Sequence, residues 1–180
     1  MIKSEISNLR AEIDQIDEAI AKLLSKRVEC AVKIGSLKDK LRNTEEEGKI
    51  SAYDPVRENE IIERLQKSVP NIPLNGIEII FRQIISLCRN SAHKSTICVL
   101  GKCENFDFKE FFGSFCEFEL CLEVGSWLKE LAKNEFNIGL TCSMLDENIQ
   151  KKLISLGFEQ IKCGKICFDA DQALKVFAHR

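Results

Sequence analysis

A long heptad-like repeat of apolar residues dominates the first part of the chain, over residues 4–41. One position of the repeat holds Ile6, Ile13, Ile20, Ile34 and Leu41, and the other holds Leu9, Ile16, Leu23, Cys30 and Leu37. This period predicts a single amphipathic helix, about 55 Å long at ~1.5 Å per residue. Because a lone helix of that length cannot bury its own apolar stripe, the pattern implies a packing partner.

Two shorter helices are predicted to follow the long one. Asp54-Pro55 is typical of a helix start, because Asp caps the first free N–H groups and proline fits the first helical position. The break at residues 70–73 contains two prolines and ends this helix. A third helix is predicted from Leu74 to His93, with an apolar stripe formed by Ile77, Ile80, Phe81, Ile84, Ile85 and Cys88.

The pattern changes near residue 95, where short apolar runs begin to alternate with helix-like segments. Repeated strand–helix units predict a small α/β layer with a mostly parallel sheet. We therefore predict two domains, an all-helical one over residues 1–94 and a small α/β one over residues 95–180. The predicted strands are 96–101, 117–122, 137–142 and 158–168, the last bent at Gly164, and the predicted helices are 108–112, 124–133, 145–156 and 170–178.

Composition limits the classes of function. The net charge of −2 and the pI near 5.8 give no overall basic field that would attract nucleic acid or an anionic membrane. No apolar run approaches the roughly 20 residues that span a bilayer. The N-terminus also lacks the apolar core of a signal peptide, so we expect a cytoplasmic protein.

Nine cysteines are spread along the chain. Their odd number and the missing secretion signal favour reduced thiols, and no pair has the CxxC spacing of a metal site. Many of them lie in apolar runs, where a thiol acts as a small buried hydrophobic group. We therefore predict no metal site.

Two basic residues of the long helix form a candidate anion site. Arg27 occupies a position otherwise filled by isoleucine or leucine, so its charge needs an anion. That anion is either a carboxylate of the chain, such as Glu58 or Asp54, or a bound ligand. Lys38 follows after nearly three full helical turns, about 16 Å along the axis, so it lies on the same face of the helix as Arg27. The alternative is that Lys38 is a solvated lysine near the helix end.

Arg10 lies 28 residues before Lys38 on the same helix, a distance of ~42 Å. A small metabolite cannot span that distance, so Arg10 is either an exposed charge or part of a site built from two copies of the chain. At the start of the second helix, Asp54, Arg57 and Glu58 place a cation and two carboxylates within one turn. The alternatives are an N-cap for Asp54 and solvated charges for the other two.

The spacing of these residues over positions 4–92 resembles the all-helical chorismate mutases. The first helix carries Leu9-Arg10, Glu12-Ile13-Asp14, Ile16-Asp17, Leu23-Leu24, Arg27, Ala31, Ile34-Gly35 and Lys38. The second carries Tyr53-Asp54-Pro55, Arg57-Glu58 and Glu60-Ile61-Ile62-Glu63-Arg64-Leu65, and the third carries Phe81-Arg82 and Ile84-Ile85. The resemblance implies an intertwined homodimer of three-helix units that converts chorismate to prephenate without a cofactor or a metal.

The resemblance also implies roles for the charged residues. Arg27 and the partner's Arg10 bind the two carboxylates of chorismate, and Lys38 donates to the ether oxygen whose bond breaks. Glu58 and the backbone near Asp54 hold the ring hydroxyl. Because the reaction is unimolecular and pericyclic, the protein has to hold the reactive conformer and stabilise charge on the ether oxygen. The implied substrate-binding residues are Arg10, Arg27, Lys38, Asp54, Arg57, Glu58 and Cys88, of which Lys38, Arg27 and Glu58 are also catalytic.

The third helix departs from the family pattern, which has a small polar residue seven positions after the Phe and Gln or Glu four positions later. Here these positions hold Cys88 and Ala92. A thiol donates only weakly, and Ala92 cannot donate at all. Loss of one such donor costs ~3 kcal/mol in other enzymes, a hundredfold or more in rate. Asn90, Ser91 or His93 can replace it only if the helix register differs.

The α/β half faintly resembles the first lobe of prephenate dehydratases, in Phe115-Cys116-Glu117, Glu123-Val124 and the segment from Asn137 to Ser143. Residues 95–180 are too few for both lobes, and the Thr-Arg-Phe motif of that family is missing. Gly101 after the first strand belongs to neither a dinucleotide fingerprint nor a P-loop. We interpret this half as a reduced domain without catalysis of its own, which binds an effector, supports the dimer or remains from a fusion.

The sequence therefore predicts a chorismate mutase, an isomerase of the shikimate pathway that serves aromatic amino acid biosynthesis. The alternative is a catalytically weak dimerisation or regulatory module, in which the α/β half binds an effector. Cys88 and Ala92 are the residues that favour this alternative.

Overall fold

The structure, a computed structural model, describes residues 2–42, 53–101, 107–133, 138–142, 145–161 and 175–179. In these ranges three helices precede a five-stranded sheet that is accompanied by three shorter helices. This confirms the predicted class, a helical region followed by a small α/β part. None of the helices in the described ranges is long and apolar enough to cross a bilayer.

The first helix, α1 (Ile2–Arg42), has 41 residues, as its heptad pattern predicts. Its C-terminal part packs on the third helix, and Gly35 is buried there. Its N-terminal part is exposed, because the apolar side chains of the repeat from Ile6 to Leu23 keep 45–67% of their surface accessible. A single chain therefore leaves most of the apolar stripe uncovered.

Helices α2 (Pro55–Ser68) and α3 (Leu74–Ala92) follow. The Oδ1 atom of Asp54 accepts a hydrogen bond from the backbone N–H of Arg57 at 3.0 Å, which confirms Asp54 as the N-cap of α2. α3 contacts both α1 and α2. A Cβ atom at Gly35 would lie 3.0 Å from the Cβ of Ala92, so the glycine allows α1 and α3 to approach closely.

The sheet has the strand order β2-β1-β3-β5-β4. Its strands are β1 (Thr96–Leu100), β2 (Glu117–Cys121), β3 (Ile138–Thr141), β4 (Phe158–Ile161) and β5 (Lys175–His179), and its helices are α4 (Phe108–Phe112), α5 (Val124–Ala132) and α6 (Glu147–Ser155). β1 pairs in parallel with β2 and β3, whereas β5 is antiparallel to β3 and β4. Four of these five strands therefore run in one direction, which confirms the mostly parallel sheet.

The last predicted helix, residues 170–178, is wrong where the structure describes it. Residues from Lys175 onward form strand β5, which lies between β3 and β4. Its segment Val176-Phe177-Ala178 is buried. Periodicity cannot distinguish a strand from a helix in so short an apolar run, and here the strands on either side stabilise the extended form.

Alternate residues of β1 lie on opposite faces of the sheet and enter two separate apolar clusters. The first cluster includes Cys98, Leu100, Trp127, Leu131 and Phe158, and the second includes Ile97, Val99, Tyr53, Phe112 and Val176. Tyr53 precedes α2, and its ring centroid lies 5.5 Å from that of Phe112 at the end of α4. The start of α2 is therefore packed against the sheet half of the chain.

The cysteines in the described ranges are mostly free thiols. Cys30, Cys88, Cys98, Cys116 and Cys121 are free, and all but Cys30 are buried, as expected for small apolar groups. Cys142 is disulfide-bonded, so the prediction of reduced thiols is wrong at that position. The other three cysteines, and the predicted strand beyond Ile161 with its bend at Gly164, lie outside the described residues.

Replacing Gly113 with alanine should lower the free energy of unfolding by ~2–5 kcal/mol. Gly113 has a φ of 81°, and an added Cβ would lie 2.2 Å from the Cβ of Ser86 on α3. Gly125→Ala in α5 is the matched control, because an added Cβ there meets nothing within 4 Å. Urea unfolding followed by the fluorescence of Trp127 measures both. Equal effects of the two substitutions would contradict the close packing of α3 against the sheet half.

Candidate active site

A cavity of about 340 Å³ lies between the C-terminal part of α1, the start of α2 and the end of α3. Its charged lining consists of the cations Arg27, Lys38, Arg57 and Arg89 and the carboxylates Asp54 and Glu58. These six residues give an excess of two positive charges. Apolar wall residues are Ile34, Ile61 and Ile85. A small cavity with this charge suits a compact dianion.

Arg27 extends from α1 towards α3. Its Nη1 atom donates to the sulfur of Cys88 at 2.7 Å and to the carbonyl oxygen of Ile84 at 3.4 Å. Neither acceptor is a carboxylate. Glu58 pairs with Arg89 and Asp54 caps α2. The alternative prediction, an internal salt bridge from Arg27 to Glu58 or Asp54, is therefore wrong. The charge of Arg27 therefore remains directed at the cavity.

Lys38 lines the same cavity as Arg27, as the eleven-residue spacing predicts, and its side chain is half-buried. Ala92 and His93 at the end of α3 line the cavity as well. The Nε2 atom of His93 lies 3.5 Å from the Oδ1 atom of Asp39, the residue that follows Lys38. The Lys38 end of the cavity is thus lined by a lysine, a histidine and an alanine.

Asn90, Ser91 and His93 are the residues near position 92 that could provide the missing donor, and of these only His93 lines the cavity. The side-chain oxygen of Asn90 accepts from the backbone N–H of Ser95, and the hydroxyl of Ser91 donates to the carbonyl of Leu87. Neither residue lines the cavity, whereas His93 does. Ala92 itself lines the wall and offers no polar atom.

The start of α2 contributes three charged residues to the cavity. The carboxylate of Asp54 caps the N-terminus of α2, which was the alternative to a role in ligand binding. Arg57 pairs with Glu60 at 3.1 Å, and both side chains are more than half exposed, so this ion pair contributes little to stability. Arg57 therefore lies at the solvent side of the cavity and can turn towards a ligand.

The alternative that Glu58 is a charge exposed to solvent is wrong. It forms an ion pair with Arg89 of α3, and the side chains of Glu58 and Arg89 are only 13% and 7% exposed. Burial raises the pKa of the Glu58 carboxyl, and the guanidinium of Arg89 opposes this shift. Burial is the largest single influence on Arg89 and disfavours its charge, but Glu58, Cys116 and Tyr53 together outweigh burial and raise the pKa of Arg89. We conclude that Arg89 is a cation.

Arg10 is exposed on the N-terminal part of α1 and does not line the cavity. It lies 17 residues before Arg27, or ~25 Å along the helix axis. Within one chain the structure therefore brings together Arg27, Lys38, Asp54, Arg57, Glu58 and Cys88, and it leaves Arg10 apart. Sequence reasoning missed Arg89, although Arg82 and Arg89 repeat seven residues apart beside the apolar stripe of α3.

Comparison with protein families matches residues 9–93 to the family described as "Chorismate mutase type II". Among curated proteins, the chain is 32% identical over 144 residues to the "Bifunctional chorismate mutase/prephenate dehydratase" of Aquifex aeolicus (strain VF5). The match covers 76% of this chain and 38% of that relative's length. Because 144 residues do not fit within the helical part alone, the similarity extends into the sheet half. No solved structure matches the chain.

Proposed function

We propose that this chain is an isomerase that rearranges chorismate to prephenate in aromatic amino acid biosynthesis, because its residues 9–93 match the type II chorismate mutase family. The observation that carries the proposal is the charge of the cavity, with four cations against two carboxylates. Chorismate has two carboxylates, so its charge complements this lining. No nucleophile, metal or cofactor is needed, since the reaction breaks one C–O bond and forms one C–C bond within a single molecule.

In the proposed mechanism the cavity holds chorismate in its compact reactive conformer. Arg27 binds one carboxylate of the substrate through its planar guanidinium, and Arg57 lies at the carboxylate end of the site. Lys38 donates to the ether oxygen, which gains negative charge as its bond to carbon breaks. Glu58 accepts from the ring hydroxyl, with the backbone near Asp54 holding the same group.

We infer that the working form is a homodimer in which α1 helices pair. The exposed apolar residues of α1 between Ile6 and Leu23 support this, because a helix of a monomer does not leave so long a stripe in water. An antiparallel pairing would bring the partner's Arg10 to the cavity, where it would bind the second carboxylate. Sedimentation equilibrium tests the dimer, and a monomer at micromolar concentration would contradict it.

Replacing Ala92 with glutamine should raise kcat by about tenfold to a hundredfold, because it adds a donor beside the ether oxygen. Ala92 lines the cavity at the end where Lys38 and His93 lie. Ser91→Gln is the matched control, since Ser91 is exposed and outside the cavity. Steady-state rates with chorismate measure both variants. An unchanged kcat in Ala92→Gln would mean that this position does not contact the ether oxygen.

The sheet half is proposed as an accessory domain over residues 95–180, joined to a catalytic domain over residues 1–94. Its similarity to a bifunctional relative supports a fusion origin, and its contacts with α3 and Tyr53 support a structural role. We propose a cytoplasmic location without nucleic acid or membrane partners, in line with the weakly acidic composition.

The experiment that tests the function is identification of the product by proton NMR after incubation of the purified chain with chorismate. Prephenate is the expected product.

The second candidate function is a catalytically weak regulatory module. Ala92 favours this candidate, because its side chain offers no donor at the site. Chorismate that is bound but recovered unchanged would favour the module.

A further inference from the structure

The ion pair between Glu58 and Arg89 joins the candidate active site to the sheet half of the chain. Arg89 uses its two terminal nitrogens in different directions. Nη1 donates to Oε1 of Glu58 at the cavity, and Nη2 donates to the carbonyl oxygen of Phe112 at 2.7 Å. Phe112 ends α4, which belongs to the sheet half. One guanidinium thus bridges α2, α3 and α4.

The surroundings of Arg89 fix its position. The sulfur of Cys116 lies 3.5 Å from Nη2, and the ring centroid of Tyr53 lies 5.1 Å from the guanidinium carbon. Only 7% of the arginine side chain is exposed. A guanidinium that is held by a carbonyl, a thiol and an aromatic ring has little freedom to rotate, and its planar donors define where the carboxylate of Glu58 can lie.

Glu58 depends on this cation for its charge. A buried carboxyl group without a cation takes up a proton, because desolvation disfavours the ionised form. Asp54 adds a second, like charge nearby that acts in the same direction. Arg89 provides the strongest opposing interaction, and Arg82 a weaker one. An ionised carboxylate is also a stronger acceptor for a hydroxyl than a neutral acid.

We propose that Arg89 is a positioning residue, which keeps Glu58 ionised and oriented towards the substrate and is itself held by the Phe112 carbonyl of the sheet half. The proposal rests on the proposed function, because it assigns Glu58 to the ring hydroxyl of chorismate. It gives the sheet half a defined part in the mutase site. It also explains why the guanidinium of Arg89 is buried between α2, α3 and α4.

Full-length Arg89→Met and Arg89→Lys test the proposal, with Arg82→Met as the matched control. Arg82 lies on the same helix and also contacts α4, through the Phe111 carbonyl at 3.5 Å and the Phe111 ring, but it does not line the cavity. The measurements are kcat and KM for chorismate between about pH 5.5 and pH 9. They are combined with a carbon-13 NMR titration of the Glu58 carboxyl in the free protein, assigned with Glu58→Gln.

In Arg89→Met we expect KM to rise about tenfold at the acidic end, because a neutral acid replaces a charged acceptor. The loss should shrink as the pH rises and Glu58 ionises, while kcat changes less. Arg89→Lys keeps the charge but cannot bind Glu58 and Phe112 together, so its KM should be raised equally at every pH. Arg82→Met should show neither change in KM. In the NMR titration, Glu58 should take up its proton at a higher pH in Arg89→Met than in the wild type.

A KM in Arg89→Met that is independent of pH, with an unchanged titration of Glu58, would reduce Arg89 to a structural residue and overturn the proposal. A lower KM would also overturn it, because Arg89 would then compete with the substrate for Glu58. If the wild type converts no chorismate, the proposed function fails, and the NMR titration alone decides whether Arg89 controls the charge of Glu58. Should Arg89→Met not fold, Arg89→Lys decides, since an unchanged KM in that variant contradicts the bridge.

Discussion

Replacing Lys38 with alanine should abolish most turnover of chorismate, with a loss of about a hundredfold to a thousandfold in kcat. The ether oxygen becomes negative in the transition state, and Lys38 is the proposed donor to it. Ala92 lines the same cavity and has no polar side-chain atom, so it cannot share the task. The effect should therefore be larger than in a site with two donors. Initial rates of chorismate consumption measure it.

Lys33→Ala provides the control for this substitution, because Lys33 is exposed on the same helix and does not line the cavity. Both variants should keep the far-ultraviolet circular dichroism and the oligomeric state of the wild type. Arg27→Ala should lose activity to a similar extent, since its charge is not neutralised by Glu58 or Asp54. Wild-type rates in either Lys38→Ala or Arg27→Ala would mean that the reaction takes place elsewhere.

Mixing two inactive variants, Arg10→Ala and Lys38→Ala, should restore activity. If each site takes Arg10 from one chain and Lys38 from the other, a mixed dimer contains one intact site and one site that lacks both residues. After subunit exchange at equal concentrations, about half of the dimers are mixed, so about a quarter of the wild-type rate should return. The distance of ~25 Å between Arg10 and Arg27 along α1 is the reason to expect this.

The control for the mixing experiment pairs Arg27→Ala with Lys38→Ala. Arg27 and Lys38 line one cavity of a single chain, so every site in their mixed dimer lacks one of the two residues and no activity should return. Equal recovery in both mixtures would show that Arg27 and Lys38 also come from different chains. No recovery with Arg10→Ala, despite confirmed exchange, would place Arg10 outside the site.

Much of the helical part could be predicted because its signals are local. The apolar repeat defines α1, and Asp54-Pro55 marks the start of α2. The same regularity placed Arg27 and Lys38 in one cavity, because eleven residues correspond to nearly three helical turns. Apart from the end of the strand predicted over 158–168, which lies outside the described residues, and the wrong helix over 170–178, the predicted boundaries differ from the structure by one or two residues, as is usual for helix and strand ends.

The parts that could not be predicted depend on contacts between residues far apart in sequence. Strand β5 is extended because β3 and β4 lie on either side of it, and nothing within its five residues indicates that. Similarly, Arg89 pairs with Glu58 and also contacts the carbonyl of Phe112 and the ring of Tyr53, all of them far from Arg89 in sequence. A sequence pattern indicates that a charge needs a partner, but not which of several carboxylates provides it.

The most direct test of the central claim is the initial rate of loss of chorismate absorbance with the purified full-length protein. We predict a rate that saturates with chorismate, is proportional to enzyme concentration and falls about a hundredfold to a thousandfold when Lys38→Ala replaces the wild type. A folded, dimeric wild-type protein that leaves chorismate consumption at the uncatalysed level would contradict the assignment of the cavity as a chorismate mutase site.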